Sequence, residues 1–167
     1  MAEKVRLLRN HGQSGAYQHD LEGYNSRMDA FQAIVLSQKL MFLDCWNAER
    51  QEIATAYREG LGELKGLKFQ ASRSGYEHVY HLFPILFEQR TAIMEFLDSK
   101  NVQTRVIYPT PLHLMKAYRH LGYEEGEFPN AERICHEVLC LPVFPGMQRT
   151  EVDFVIACIH EFMGAGG

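Results

Sequence analysis

The sequence predicts an α+β or α/β sandwich, in which a long N-terminal helix and several shorter helices cover one small sheet. Residues 29–64 contain no proline and carry apolar side chains at helical spacing. Residues 67–70 and 78–87 are short runs of apolar and aromatic residues that read as strands. Helical and strand-like segments then alternate to the end of the chain, an order typical of one sheet covered by helices.

Length and periodicity divide the chain into three stretches within a single domain, 1–167. Residues 1–28 start with a short helical pattern and continue as a glycine-containing loop, and a loop of that length in a compact chain is usually functional or mobile. Residues 29–64 form the long helix, either unbroken or as two helices with a bend. Residues 65–163 form the small α+β domain.

The long helical stretch begins beside a polar cluster. Ser26 and Asp29 form a pair that resembles a capping box, which places the start of the helix at Ser26. Apolar residues then cover much of the helix circumference from Phe31 to Trp46. A helix of this kind is expected to be buried on both sides or to lie at a subunit interface.

Alternation of side chains predicts the strands that follow. The residues of 78–87 that share one face are Val79, His81, Phe83, Ile85 and Phe87. Pro84 cannot donate a hydrogen bond to a neighbouring strand, so it places this strand at a sheet edge or at a bulge. Residues 102–108 are predicted as a further strand, and residues 140–145 as a short strand-like exit.

Helical spacing predicts further, shorter helices. They are placed at 89–101, 113–120, 130–139 and 150–162. Thr150 with Asp153 is predicted to cap the last of them. The acidic turn GYEEGEFPN, Gly122 to Asn130, leads into the third of these helices and is predicted to be a solvated loop.

Composition excludes several classes of function. The formal charge of −4, from 17 basic and 21 acidic side chains, gives no basic surface for nucleic acid. No apolar run reaches the length of a membrane span, and the first residues lack the apolar core of a secretory signal. The four cysteines lie among apolar neighbours without a CxxC pair, which predicts buried, reduced thiols in a cytoplasmic protein.

Motif spacing gives little support for metal or nucleophilic chemistry. His78 and His81 point to opposite faces of a strand, and His113 and His120 are two helical turns apart, about 10 Å, so neither pair holds one ion. The sequence contains neither the GxSxG motif of serine hydrolases nor a glycine-rich phosphate loop. Phosphate binding would therefore need side chains or the start of a helix.

The stretch GYNSRMD, Gly23 to Asp29, offers both kinds of phosphate donor. Backbone N–H groups at a helix N-terminus attract anions, and Asn25 and Arg27 lie beside them. The alternative from the residues alone is that Asn25 closes a turn and Arg27 is solvated, since asparagine is a common turn residue.

Several sequence blocks in a fixed order resemble one enzyme family. They are AEKVRLLRNHG, GYNSRMDAFQAIVLSQKL, HVYHLF, YPTPLH, HLGYEEGEFPNAE and LPVFPGM, which together run from Ala2 to about Phe162. They are similar to the C-terminal part of the DegT/DnrJ/EryC1/StrS family. The family consists of pyridoxal-phosphate-dependent aminotransferases that act on nucleotide-linked keto sugars.

The resemblance implies the small α+β C-terminal domain of a fold-type-I aminotransferase, with a long N-terminal helix and a small, mainly antiparallel sheet covered by helices. It also implies an enzyme that works as a homodimer. Asn25 is similar to the family asparagine that binds the cofactor phosphate of the neighbouring subunit, and Arg27 is a second candidate for that phosphate. Tyr108 and His113, in a loop similar to one that lines the sugar pocket, are candidate substrate residues, with packing as the alternative. Asn10 and His11 resemble a loop at the mouth of the active site.

One departure from the family concerns the lysine that binds the cofactor covalently. In the family it precedes the first matching block, and none of the six lysines of this chain occupies that position. The chain is therefore expected to be the inactive C-terminal portion of a transaminase that uses glutamate as donor, with pyridoxal phosphate held only in the complete enzyme. Alternatives are a non-catalytic interaction or regulatory module that pairs with a subunit bearing the large domain, and an unrelated small-molecule binder.

Overall fold

The computed structural model describes residues 1–165, which fold into two compact units with their boundary in the sequence between Leu43 and Asp44. The first unit consists of helix α1 (Ala2–Leu8), a hairpin of strands β1 (Gln13–Gly15) and β2 (Gln18–His19), and helix α2 (Ala30–Leu40). Backbone hydrogen bonds join the segment after α1 to the segment before α2. Within the described chain no residue of α2 is buried.

The second unit is built on a three-stranded antiparallel sheet. Its helices are α3 (Leu43–Leu61), α4 (Arg90–Ser99), α5 (Pro129–Glu137) and α6 (Arg149–Ala165). Its strands are β3 (Lys68–Phe69), β4 (Phe83–Leu86) and β5 (Val138–Leu141), in the order β3-β4-β5. The predicted α+β class is confirmed.

The core of this unit lies between the sheet and its helices. The largest fully buried side chains are Tyr57, Leu61, Phe83, Ile85, Ile93, Leu97, Leu139, Val152 and Ile159. Phe83, Ile85 and Phe87 share the buried face, as the alternation predicts, whereas His81 and Val79 precede the strand and are exposed. The Tyr57 hydroxyl donates to the Pro142 carbonyl at 2.9 Å, so the most buried aromatic ring keeps its polar atom paired.

The long helical stretch is two helices, the second of the two alternatives. Helix α2 ends at Leu40 and α3 begins at Leu43. The predicted start at Ser26 is wrong, because the Ser26 N–H donates to the Arg9 carbonyl at 2.9 Å and therefore belongs to a strand pairing. Asp29 caps α2 instead, and Gln32 completes the capping box by accepting from the Asp29 N–H at 3.2 Å.

Pro84 lies in the central strand, so its predicted place at a sheet edge or bulge is wrong. It pairs with Cys140 of β5 on one side. The Phe87 N–H points to β5, and alternate residues of a strand point the same way, so the Pro84 nitrogen faces the β3 side. Strand β3 ends at Phe69, opposite Ile85. No residue of β3 therefore lies opposite Pro84, and the missing N–H of the proline breaks no hydrogen bond of the sheet.

The segment 102–108 forms one bridge and not a strand. Arg105 and Cys140 exchange two backbone hydrogen bonds of 3.2 and 2.7 Å. The next hydrogen-bonded pair in this register would join Gln103 to Pro142, which has no N–H to donate, so the pairing stops there.

Two predicted helices differ in form or in capping. Residues 113–120 lie in two 3₁₀ turns, Leu112–Leu114 and Lys116–Leu121. The predicted cap of the last helix is wrong, since Glu151 accepts from the Gln148 N–H at 2.7 Å and Asp153 pairs with Arg149 at 2.9 Å.

The four thiols are free, but only part of the cysteine prediction is confirmed. Cys140 and Cys158 are buried, Cys135 is half-buried, and Cys45 is exposed in the first turn of α3. Among the described residues no helix is long and apolar enough to span a membrane. No three His, Cys, Asp or Glu side chains of residues 1–165 are arranged to hold a metal ion.

Candidate functional site

Four of the six predicted site residues lie on two adjacent backbone segments of the first unit. Asn10 and His11 follow helix α1, and Asn25 and Arg27 precede helix α2. The segments form an antiparallel bridge between Asn10 and Asn25. Residues fifteen positions apart in sequence are thereby brought side by side.

The hydrogen bonds on either side of the bridge fix the direction of the two asparagines. The His11 N–H donates to Tyr24 and the Ser26 N–H to Arg9, each at 2.9 Å. This pattern makes Asn10 and Asn25 a non-hydrogen-bonded pair, whose side chains leave the same face with Cβ atoms about 4.5–5.5 Å apart. Both carboxamides therefore reach one patch of surface.

Two glycines allow the segments to approach each other. A Cβ on Gly23 would lie 2.1 Å from the Gly12 nitrogen, and one on Gly12 would lie 1.7 Å from the Leu21 carbonyl oxygen. Gly12 also has a φ of +69°, which side chains rarely tolerate. The position of Asn25 thus depends on glycine at both places.

We expect Gly23→Ala to displace the segment that carries Asn25, because its Cβ would meet backbone atoms that cannot rotate away. Backbone amide exchange of His11 and Ser26, measured by NMR, should accelerate at least tenfold while the amides of β4 keep their protection. Gly164→Ala is the matched control, since nothing lies within 4 Å of a Cβ there and Gly164, like Gly23, does not have a positive φ. Unchanged protection in Gly23→Ala would contradict the close approach.

Asn25 and Arg27 form a small group that presents hydrogen-bond donors. The Arg27 Nε–H donates to Asn25 Oδ1 at 3.3 Å, which uses one of the two lone pairs of the carboxamide oxygen. Both residues are exposed, and among residues 1–165 no acceptor is found for Asn25 Nδ2 or for the Arg27 Nη atoms. A surface of N–H donors with one positive charge suits a phosphate group.

The neighbouring side chains keep their own contacts. Asn10 Nδ2 donates to Gln13 Oε1 at 3.4 Å, so Asn10 is tied to the start of the hairpin. The His11 carbonyl lies 2.9 Å from His19 Nδ1, and His11 itself is exposed with a φ of 58°. These contacts fix the hairpin that follows Asn10 and His11, next to the segment that carries Asn25.

Tyr108 and His113 lie in the second unit, in different surroundings. The Tyr108 side chain is 72% exposed at the wall of a cavity of about 820 Å³, a volume that suits a small-molecule ligand. Other residues that line this cavity include Arg50, His81, Arg105, Phe144 and Phe154. His113 is not among the residues that line it, because its ring packs on Phe128 and lies 2.9 Å from the Glu132 carboxylate.

Two features of these regions have no counterpart in the sequence prediction. The Arg105 side chain lines the cavity although its backbone pairs with β5, and Glu132 holds His113 from the first turn of α5. Pro129 at the start of a helical pattern, with an acidic residue in the first turn, is the signal that could have singled out Glu132.

The lysines of the described chain are exposed or half-buried. All six lie within residues 1–165, and none is buried. Lys100, the least exposed of them, pairs with Glu161 at 2.8 Å, and that hydrogen bond raises the pKa of its amine. A lysine that is to react as a neutral amine needs the opposite shift.

Comparison with known proteins gives a match along nearly the whole chain. Residues 1–160 match the profile of the DegT/DnrJ/EryC1/StrS aminotransferase family. The erythromycin biosynthesis sensory transduction protein EryC1 of Saccharopolyspora erythraea is 41% identical over 95% of this chain and 43% of its own length. The dTDP-3-amino-3,4,6-trideoxy-alpha-D-glucose transaminase of Streptomyces venezuelae is 37% identical, over 97% of this chain and 43% of its own.

A solved structure shows the same fold. The crystal structure of DesV from S. venezuelae superposes with a TM-score of 0.93 at 37% identity, and covers 97% of this chain and 44% of that one. The chain therefore spans less than half the length of the relatives it matches.

Proposed function

Because the chain belongs to the DegT/DnrJ/EryC1/StrS aminotransferase family, we propose that it is the C-terminal portion of a pyridoxal-phosphate-dependent transaminase. The complete enzyme would transfer an amino group from glutamate to a nucleotide-linked keto sugar. The transaminase from S. venezuelae, whose name specifies a dTDP-linked amino sugar, supports this class of substrate. The free thiols suit a reducing compartment, so we place the enzyme in the cytoplasm.

The donor group formed by Asn25 and Arg27 is the observation that carries the proposal. The bond from Arg27 turns Asn25 Oδ1 towards the guanidinium and leaves the Nδ2 and Nη donors of the pair available, and a phosphate monoester accepts such bonds through its oxygens. Pyridoxal phosphate, when bound, supplies an electron sink for the carbon that gives up or receives the amine. In our proposal Asn25 and Arg27 hold its phosphate in the neighbouring subunit of a homodimer.

The remaining candidates are assigned to the substrate. Asn10 lies beside Asn25 on one face, and His11 follows it, so both would border the same ligand. Tyr108 would contact the sugar nucleotide from the cavity wall. His113 is buried against Glu132 and Phe128, so we assign its effect on the substrate to the position it gives the Tyr108 loop.

We expect the 167-residue chain by itself to form no stable covalent adduct with pyridoxal phosphate, because none of its lysines is buried in the described structure. The test is incubation with the cofactor, reduction with borohydride and mapping of labelled peptides by mass spectrometry. Expected labelling is weak and spread over several exposed lysines. Stoichiometric labelling of one lysine would overturn the assignment of the covalent site to another part of the enzyme.

A second candidate function is a non-catalytic interaction or regulatory module, and exposed apolar side chains favour it. Phe31, Ile34 and Leu40 of helix α2 are 75%, 62% and 69% exposed, which is typical of a surface that binds protein. The relative from S. erythraea is named a sensory transduction protein. The two functions are separated by transaminase activity of the complete protein with glutamate and a keto sugar nucleotide.

A further inference from the structure

The Glu132 carboxylate contacts three groups of the segment between Tyr108 and helix α5. Glu132 accepts from the backbone N–H of Gly126 at 2.9 Å and from that of Phe128 at 3.2 Å, and it lies 2.9 Å from His113 Nε2. Three partners that are separate in sequence thus meet on one side chain. His113 and the backbone of the acidic turn at Gly126 and Phe128 are thus fixed to the first turn of α5.

The contact is largely shielded from solvent. The side chains of His113 and Glu132 are 8% and 17% exposed. The His113 ring packs on Phe128 with centroids 4.7 Å apart, and Tyr123 packs edge-on against Phe128 at 5.1 Å. Charge-assisted hydrogen bonds in such surroundings are stronger than at an open surface, so Glu132 is suited to hold the segment in one conformation.

A stiff link connects this contact to Tyr108. Pro109 and Pro111 lie between Tyr108 and His113, and each proline ring fixes its own φ. The residues before them, Tyr108 and Thr110, are also restricted to extended conformations. The backbone between His113 and Tyr108 therefore has few torsions free to absorb a shift of His113.

We propose that Glu132 is a positioning residue, which acts through His113 and the two prolines to hold Tyr108 at the wall of the cavity. The role of Tyr108 in substrate binding rests on the proposed function. The placement of Tyr108 by Glu132 rests on the contacts alone.

The protonation state of Glu132 provides a way to release the contact. Burial alone raises the pKa of the Glu132 carboxyl, but hydrogen bonds from Gly126, Phe128 and His113 outweigh it, and its pKa lies below the ordinary value. A lowered pKa means that the contact is intact above the ordinary glutamate value of about 4.3 and is lost only as the pH falls through the lower, folded-state value. The charged group in contact with Glu132 is His113, whereas the neighbouring Arg133 pairs with Glu137 and the Glu127 carboxylate accepts from the Glu124 N–H.

The test is an NMR titration of the complete 167-residue chain from pH 7 to pH 3. In the wild-type chain the Gly126 and Phe128 amide resonances and the Tyr108 ring resonance, assigned with Tyr108→Phe, should move together in one transition below pH 4.3. Glu132→Gln keeps one acceptor oxygen, so amide protection should fall by about threefold to tenfold and the transition should vanish. Glu132→Ala should lose protection at both amides.

Glu125→Gln is the matched control, since it removes one charge from the same turn and should leave the transition in place. Amides of β4 and β5 report whether each variant is folded. A Tyr108 resonance that does not follow the amides in the wild type, or that keeps its transition in Glu132→Gln, would overturn the proposal. The measurement needs neither cofactor nor substrate, so its failure would leave the proposed transamination untouched, and the reverse also holds.

Discussion

Replacing Asn25 by alanine in the complete enzyme should weaken retention of pyridoxal phosphate by about 10- to 100-fold, because a hydrogen bond to a charged group contributes about 1.5–3 kcal/mol. Arg27 would lose its partner at Oδ1 as well, so the guanidinium would also be less well placed. The measurement is the dissociation constant of the cofactor. It is obtained from the absorbance of the cofactor that stays with the protein after dialysis against buffers of decreasing cofactor concentration. Asn25→Asp should retain the cofactor still more weakly, because it places a negatively charged carboxylate beside the phosphate.

A control on the same unit separates loss of a phosphate contact from loss of folding. Gln18 is an exposed amide of strand β2, and Gln18→Ala should retain the cofactor as the wild-type enzyme does. His11 and Ser26 amide protection should be unchanged in Asn25→Ala, because their hydrogen bonds involve only backbone atoms. Wild-type retention in Asn25→Ala would refute the phosphate role.

A glutamate placed on helix α2 should break the assembly that we propose for this chain. Phe31, Ile34 and Val35 lie on one side of α2, whereas Leu36 and Leu40 lie on the opposite side, and all five are at least 40% exposed. Covering both sides requires another surface, which we propose to be a second copy or a subunit bearing the large domain. Ile34→Glu and Leu40→Glu should each weaken association at least tenfold, as measured by light scattering after size exclusion, because each buries a charge.

The comparison for these variants is a glutamate at an exposed position away from α2. Ser72 lies in the exposed loop between β3 and β4, and Ser72→Glu should leave the oligomeric state unchanged. If both α2 variants associate like the wild type, the apolar sides of α2 are not the interface. A wild-type chain that stays monomeric across a wide concentration range would contradict self-association directly.

Local patterns predicted the elements with a strong period and failed where a distant segment intervened. The spacing of Ile93 and Leu97 and the alternation of Phe83 and Ile85 identify α4 and β4, because burial on one face imposes the period directly. Ser26 has the side chain of a helix cap, yet its backbone pairs with Arg9, seventeen positions earlier. A distant segment that pairs with this backbone cannot be recognised from the residues next to Ser26.

The site residues show the same division. Ordered motifs and periodic apolar residues along the chain were enough to identify the family and the α+β class, and they made the GYNSRMD stretch a candidate site. The three-dimensional contacts were needed to see that Asn10 and Asn25 form one patch, that Arg27 donates to Asn25, and that His113 contacts Glu132. Those facts depend on backbone pairing and side-chain packing between separate segments, which a linear pattern does not specify.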